Sequence, residues 1–461
     1  MSGTAGRLIA VSNRVGPIRD TPQAGGLAVA LVDALRERGG LWFGFGGKLA
    51  ANPREAVQLD SHEGLHIATI ELNTADYHGY YNGHANGCLW PLFHFRPDLV
   101  HYRRDDYAAY LRINERFADA LVPLLQADDI IWVHDFHLIP LAAMLRTRGC
   151  QQRIGFFLHI PFPARDLLLT LPNHLHLLQQ LCSYDLIGVQ TTVHLERLHD
   201  CFEQLLDLPR ATDGTHWQAP ERVLRTGVFP VGIDVETFVG FANLPRTART
   251  VSRMQAELRG RTQIIGVDRL DYAKGLLRRM EAYERFLEQH PRAHGRVEYL
   301  QLAPISRSEV SAYQEFREQM ERTAVRINGG YSRYDWTPLR YLNSPLSRVT
   351  LAALYRASKI GFVTPLRDGM NLVAKEYVAA QDPDDPGVLV LSQFAGAARQ
   401  MTAAVIANPY DSDAVADAIE IARVMPLPER RERHAELMRG LRNYDAHRWQ
   451  HDYLDALSLA A

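Results

Sequence analysis

Short apolar runs rich in β-branched and aromatic residues recur through the first half of the chain at 8–11, 41–45, 67–72, 129–133, 154–158 and 186–189. Stretches with helical periodicity separate most of them, the alternation expected of strands in a parallel sheet covered on both faces. A second series follows Phe229-Pro230-Val231-Gly232-Ile233-Asp234, with runs at 263–267, 297–302, 360–364, 387–391 and 404–407 between charged amphipathic helices such as 277–289 and 309–323. The pattern predicts an α/β protein with two doubly wound, Rossmann-like sheets. Asn243-Leu244-Pro245-Arg246 interrupts the pattern within 235–247, so residues 1–240 make one expected domain and 241–439 the other, hinged to face each other across a cleft. The final helical stretch begins near 428, and its last part, about 440–461, is expected either to close the second domain or to cross back to the first.

Composition narrows the function classes. The chain has 461 residues, 46% of them hydrophobic, enough for two cores. A formal charge of −2 despite 51 basic residues provides no long-range attraction to nucleic acid or anionic membrane, so neither is an expected partner. Cys88, Cys150, Cys182 and Cys201 are scattered without a metal or redox spacing, which points to reduced structural thiols. Arg7-Leu8-Ile9-Ala10-Val11 follows the amino terminus with no signal-like segment, and no apolar run would span a bilayer. A cytoplasmic protein is the expectation.

The chemistry concentrates at Pro365-Leu366-Arg367-Asp368-Gly369-Met370-Asn371-Leu372-Val373-Ala374-Lys375-Glu376, just beyond the apolar run Ile360–Thr364. As continuous helix, Asp368 and Glu376 would lie about 12 Å apart along the axis and turned by roughly 80°, too far to hold one atom. They suit opposite ends of one long ligand. Gly369 permits close backbone approach, and the following helix start offers amides to a diphosphate between those ends. The plainer alternative is a loop–helix junction with a solvated acid on each side.

Other stretches carry polar groups at expected strand ends. Ser12-Asn13-Arg14 closes the first run, and Ala24-Gly25-Gly26-Leu27 opens a helix without the G-x-G-x-x-G spacing; Gly26 suits either a sugar loop or a tight turn. Ile130-Ile131-Trp132-Val133-His134-Asp135-Phe136-His137 delivers Asp135 as a hydroxyl-binding group or base, while a metal on its two histidines lacks a further ligand at a telling spacing. His159 interrupts the next apolar run, and consecutive strand ends would set it beside Asp135. In the second half, Arg269 and Lys274 flank a strand end and a helix entry, a combination suited to a diphosphate leaving group, or else a solvated pair of cations matched to Asp268 and Asp271. Arg307 repeats the pattern after the run 297–302.

Taken together, Ser12-Asn13-Arg14, Gly25-Gly26-Leu27, Leu41-Trp42-Phe43-Gly44, Tyr80-Tyr81-Asn82, Trp132-Val133-His134-Asp135, Phe157-Leu158-His159-Ile160-Pro161-Phe162-Pro163, Arg269 to Gly275 and Leu366 to Glu376 resemble the trehalose-6-phosphate synthase family, in order, from about residue 7 to about 455. The resemblance implies the GT-B fold and transfer of glucose from a nucleoside-diphosphate glucose to glucose 6-phosphate, giving α,α-trehalose 6-phosphate with retention. It assigns Arg269 and Lys274 to the donor diphosphate, Asp368 to donor glucose hydroxyls, Glu376 to the ribose, the backbone of Asn371, Leu372 and Val373 to the phosphates, and Gly26 and His159 to the border of the donor glucose. On the acceptor side it assigns Arg14, Tyr81, Trp90 and Arg307 to the phosphate pocket, with Trp42 and Asp135 nearby. It implies front-face attack in which the departing phosphate accepts the proton, with Arg269, Lys274, Asp135 and His159 as the catalytic group and no metal or other cofactor. Pro345 stands where some relatives carry a histidine beside the base, so UDP, GDP and ADP stay open, with UDP favoured. Another phosphorylated acceptor, or a non-catalytic sugar-phosphate-binding subunit, is the alternative; a homo-oligomer is compatible with the chain.

Overall fold

The computed structural model describes residues 6–15, 31–32, 34–36, 39–62, 64–305 and 311–460. Its contacts divide the chain into two compact units, Met1–Pro230 with His447–Ala461, and Val231–Ala446. Residues 231–240, which the pattern alone groups with the first half, fall in the second unit. The reason is the helix Val235–Ala242, whose Val235, Phe238 and Ala242 are buried in that unit's core beside Ile265, Leu300 and Tyr377.

The described residues of the first unit form one sheet of nine strands: β1 Leu8–Arg14, β2 Leu41–Ala50, β3 Gln58–His62, β4 Leu65–Asn73, β5 Ile130–His134, β6 Arg153–Phe157, β7 Leu186–Val189, β8 His216–Gln218 and β9 Val223–Val228. Their order is β3-β4-β2-β1-β5-β6-β7-β9-β8, parallel throughout except for the antiparallel edge pairs β3–β4 and β8–β9. The chain starts at β1, builds to one side and then to the other, so the order reverses between β1 and β5. Ligands of open α/β sheets bind beyond the carboxyl ends of strands at such a reversal.

The helix Ala446–Ser458 completes this unit. Tyr453 stacks on Trp132 at 4.7 Å between ring centroids, and Trp449 meets the same indole at 5.1 Å. Tyr453 can lie this low because Gly155 and Gly188 sit beneath it; a Cβ on Gly155 would come within 2.4 Å of its hydroxyl oxygen.

The second unit holds a fully parallel sheet of β10 Thr262–Val267, β11 Val297–Leu302, β12 Leu339–Leu342, β13 Ile360–Val363, β14 Val388–Ser392 and β15 Val405–Ala407. Its order, β12-β11-β10-β13-β14-β15, reverses between β10 and β13. Nine of the eleven apolar runs coincide with strands to within two residues at each end; 8–11 and 41–45 start with β1 and β2, which run on for three and five residues more. The two helices named from pattern are Leu276–Gln289 and Ser311–Tyr331.

Candidate active site

In the second unit, the loops after β10 and β13 leave the sheet side by side at its reversal. Asp271 shapes the first loop: its carboxylate accepts the Ala273 amide at 3.0 Å and the Tyr313 hydroxyl at 3.1 Å, holding the single turn Tyr272–Lys274. Gly275 then takes the left-handed conformation (φ 66°) against the other loop, where a Cβ would meet the Thr364 carbonyl at 2.7 Å. The Leu366 amide donates to the Ala273 carbonyl at 3.0 Å, stitching the loops together.

That stitching delivers the charged groups. Lys274 Nζ donates to Asp368 Oδ2 at 2.5 Å, and Asn371 Nδ2 donates to the same oxygen at 3.0 Å. Both charged side chains are largely buried, at 14% and 12% exposure, so the pair is shielded from the screening that makes surface ion pairs weak. Asn371 caps the helix Leu372–Ala379 by accepting the Ala374 amide, and it does so at φ 80°, ψ 90°, strained for a residue with a Cβ. The cap oxygen leaves the first-turn amides of Leu372 and Val373 without an intrahelical acceptor, facing outward from the helix start.

Beneath this group lies a cation that pattern reading passes over. Arg279 is 1% exposed, forms an ion pair with Asp268 at 2.9 Å, and donates to the Lys274 carbonyl and Thr364 Oγ1 at 3.2 Å each and to Gln301 Oε1 at 3.3 Å. Burial pushes the Asp268 carboxyl up, with Arg279 and Lys274 pulling it back. The alternative of Arg269 and Lys274 matched to Asp268 and Asp271 therefore does not hold for Lys274: its partner is Asp368, and both other acids are committed elsewhere. Arg269 lies exposed one residue past Asp268. The signal for Arg279 was present, since it interrupts the buried stripe Leu276, Met280, Tyr283 and Leu287 of its helix.

Glu376 is half-buried on the helix Leu372–Ala379. Burial raises its carboxyl to about 7, partly offset by Arg348. Its neighbour Lys375 points inward, donating to the Val231 carbonyl and Gln400 Oε1 at 2.7 Å each, and burial lowers its amine to about 7.

In the first unit the polar groups gather at the ends of β1, β5 and β6. Asp135 follows β5 at φ 73°, ψ 166°, a region that L residues rarely occupy. Its Oδ1 accepts the His159 amide at 3.2 Å, so the ends of β5 and β6 do set these two residues side by side. His134 and His137 diverge: the first meets His159, while the ring of His137 stacks on Tyr81 at 5.7 Å. Among the described residues no group of three or more His, Cys, Asp or Glu gathers as metal ligands.

Tyr80 and Tyr81 ride on a wide helical turn, His78–Leu89, absent from the pattern reading. Gly83 lets that turn lie on the helix Arg104–Leu121; a Cβ there would be 2.4 Å from the Asp106 carboxyl carbon. Tyr80 donates to Asn13 Oδ1 at 2.8 Å, which ties the turn to the end of β1. Trp42 is buried and its indole donates to Ser12 Oγ at 2.8 Å, while Trp90 is buried against His94 and Phe136. Arg14 is exposed at the end of β1 beside Gly47, and no carboxylate among the described residues pairs with it. Gly26 and Arg307 lie outside the described residues.

The family pattern of glycosyltransferase family 20 matches residues 12–459. A trehalose-6-phosphate synthase from Enterobacter sp. (strain 638) is 48% identical over 453 residues, covering 97% of this chain and 94% of the relative. The solved α,α-trehalose-phosphate synthase (UDP-forming) of Burkholderia xenovorans in complex with glucose-6-phosphate superposes with a TM-score of 0.94 at 46% identity, covering 98% of this chain and all of that one. An E. coli structure bound with UDP-2-fluoro glucose gives 0.94 at 47% identity, covering 98% and 99%. The two parallel sheets are thus those of a GT-B glycosyltransferase, and the chain belongs to glycosyltransferase family 20.

Proposed function

We propose that this chain transfers the glucosyl group of UDP-glucose to the C1 hydroxyl of glucose 6-phosphate, releasing UDP and forming α,α-trehalose 6-phosphate with retention at the donor carbon. The observation that carries this reading is the buried group of Lys274, Asp368 and Asn371 at the reversal point of the second sheet, set against the open amides of a helix start. A diphosphate there meets a cation and two backbone donors, while Asp368 Oδ1 remains for sugar hydroxyls. UDP and glucose 6-phosphate as substrates draw support from the Burkholderia and E. coli relatives.

In the proposed reaction the acceptor's C1 oxygen bonds to the donor C1 as the bond from that carbon to the diphosphate breaks. The acceptor's proton passes to the departing phosphate oxygen. Arg269 and Lys274 stabilise the charge that grows on the diphosphate. Asn371, Leu372 and Val373 hold its oxygens, Asp368 orients the glucose and Glu376 takes the ribose. Arg14 and Tyr81 receive the acceptor phosphate with Trp42 and Trp90 packed behind, and Asp135 and His159 bind sugar hydroxyls. The four cysteines are free and buried, which fits the reducing cytoplasm as the compartment.

The test is nucleoside diphosphate release from UDP-, GDP- and ADP-glucose with glucose 6-phosphate, repeated with other phosphorylated acceptors. UDP-glucose and glucose 6-phosphate are expected to give the highest kcat/KM. No release from any donor contradicts the reading; faster turnover with a different phosphorylated acceptor reassigns the product.

A further inference from the structure

His134 and His159 are joined ring to ring, His134 Nδ1 to His159 Nε2 at 3.1 Å. Burial holds His134 well below its ordinary range and His159 down at about 3, so both rings are neutral near pH 7. One proton therefore lies between the two nitrogens, and it belongs to one ring or the other. The distance alone leaves the choice open; the far nitrogens decide it.

His134 Nε2 is buried without a hydrogen-bond partner among the described residues. If His159 donated, His134 would carry its own proton on Nε2, an orphaned buried N–H in a ring packed on Trp132 at 4.5 Å between centroids, where an indole face is at best a weak acceptor. If His134 donates instead, Nε2 bears only a lone pair, the less costly deficiency in a buried site. His159 then carries its proton on Nδ1. The ring of His159 is half-buried, and Nδ1 takes no partner among the described residues.

We propose that His134 is a positioning residue that fixes the tautomer of His159, so that His159 presents Nδ1–H as a donor to a hydroxyl oxygen of the glucosyl substrate. This rests on the proposed transferase reading for the identity of the sugar, and not for the placement of the proton. Free histidine favours the Nε2–H form, so the opposite form in the folded enzyme needs a donor held against Nε2. His134 is that donor. A hydroxyl that accepts from His159 keeps its own proton for a second acceptor, which sharpens the orientation of the sugar.

Selective 15N labelling of histidine, with His159 assigned by its loss in His159→Asn, reads the tautomer directly in the enzyme alone. The expected wild-type result is Nδ1–H. His134→Leu should return His159 to the Nε2–H form and raise the KM for UDP-glucose about tenfold, the equivalent of one hydrogen bond. His134→Asn, whose amide N–H stands at the Nδ1 position, should restore both readouts to within about threefold. His134→Gln, whose amide stands at Nε2, should restore neither. An Nε2–H tautomer in the wild type, or equal rescue by Gln and Asn, overturns the proposal, and the wild-type spectrum decides it even if His134→Leu does not fold. Absence of UDP release by the wild type would instead count against the transferase reading and leave the tautomer assignment standing.

Discussion

Lys274, Asp368 and Glu376 have separable tasks in this account. Lys274→Ala should lower kcat by two to three orders of magnitude, about 3–4 kcal/mol of lost stabilisation of the leaving group, measured by UDP release. Wild-type turnover in a folded Lys274→Ala protein would remove it from the donor site. Glu376 offers a pH test whose sign follows from its raised pKa of about 7. The folded protein binds this proton more tightly than the unfolded chain, so the residue's contribution to stability falls as pH rises from the ordinary carboxylate range to about 7. A ribose hydroxyl donating to the ionised form pulls the pKa back down, so UDP binding at about pH 6.5 should release a fraction of a proton. Calorimetry in buffers of different ionisation heat should show that release in the wild type and not in Glu376→Gln; equal release in both would place the ribose elsewhere. Asp368 and Glu376 stood out in the sequence by their spacing across a helix start, although acids there also serve as caps and dipole partners. Arg279 and His134 carry a weaker signal, since a cation interrupting an apolar stripe and a histidine ending a strand look alike whether they prop a site or simply fill a core.

Elements were legible where hydrophobic periodicity was strong. β10, β11 and β13 are buried on both faces, so their apolar runs mark them almost residue for residue. β3, with the sequence QLDSH, and the three-residue β8 are edge strands, whose pairing is set by a neighbouring strand rather than by a run of their own. The turn His78–Leu89 has no apolar periodicity to announce it, and two of its glycines, Gly79 and Gly83, serve close packing on the helix Arg104–Leu121. Asn371→Ala removes the acceptor for the Ala374 amide and puts a non-capping residue at positive φ, a loss of about 1–2 kcal/mol in stability. It also frees Asp368 from one of its two donors, so the KM for UDP-glucose should rise with it. A stability loss with an unchanged KM would confine Asn371 to a capping role.

At the scale of the molecule, each sheet reverses its strand order beside strand ends that carry the polar groups, Asp135 and His159 in one unit and Lys274, Asp368 and Asn371 in the other. The alternation of runs and helices was enough to anticipate two such sheets, because doubly wound topology follows from that alternation and from right-handed crossovers. The last helix was harder to place, since an amphipathic face does not say which sheet it covers; the indole of Trp132 and the glycines beneath Tyr453 decide that. Tyr453→Ala should therefore destabilise the first unit by about 3–5 kcal/mol, seen as an earlier tryptophan fluorescence transition in urea. The transferase activity is checked by NMR of the product formed from UDP-glucose with glucose 6-phosphate or glucose as acceptor. The expected result is α,α-linked trehalose 6-phosphate with stoichiometric UDP from the phosphorylated acceptor and little product from glucose at any concentration. A different linkage, or equal turnover of glucose and glucose 6-phosphate, would contradict it.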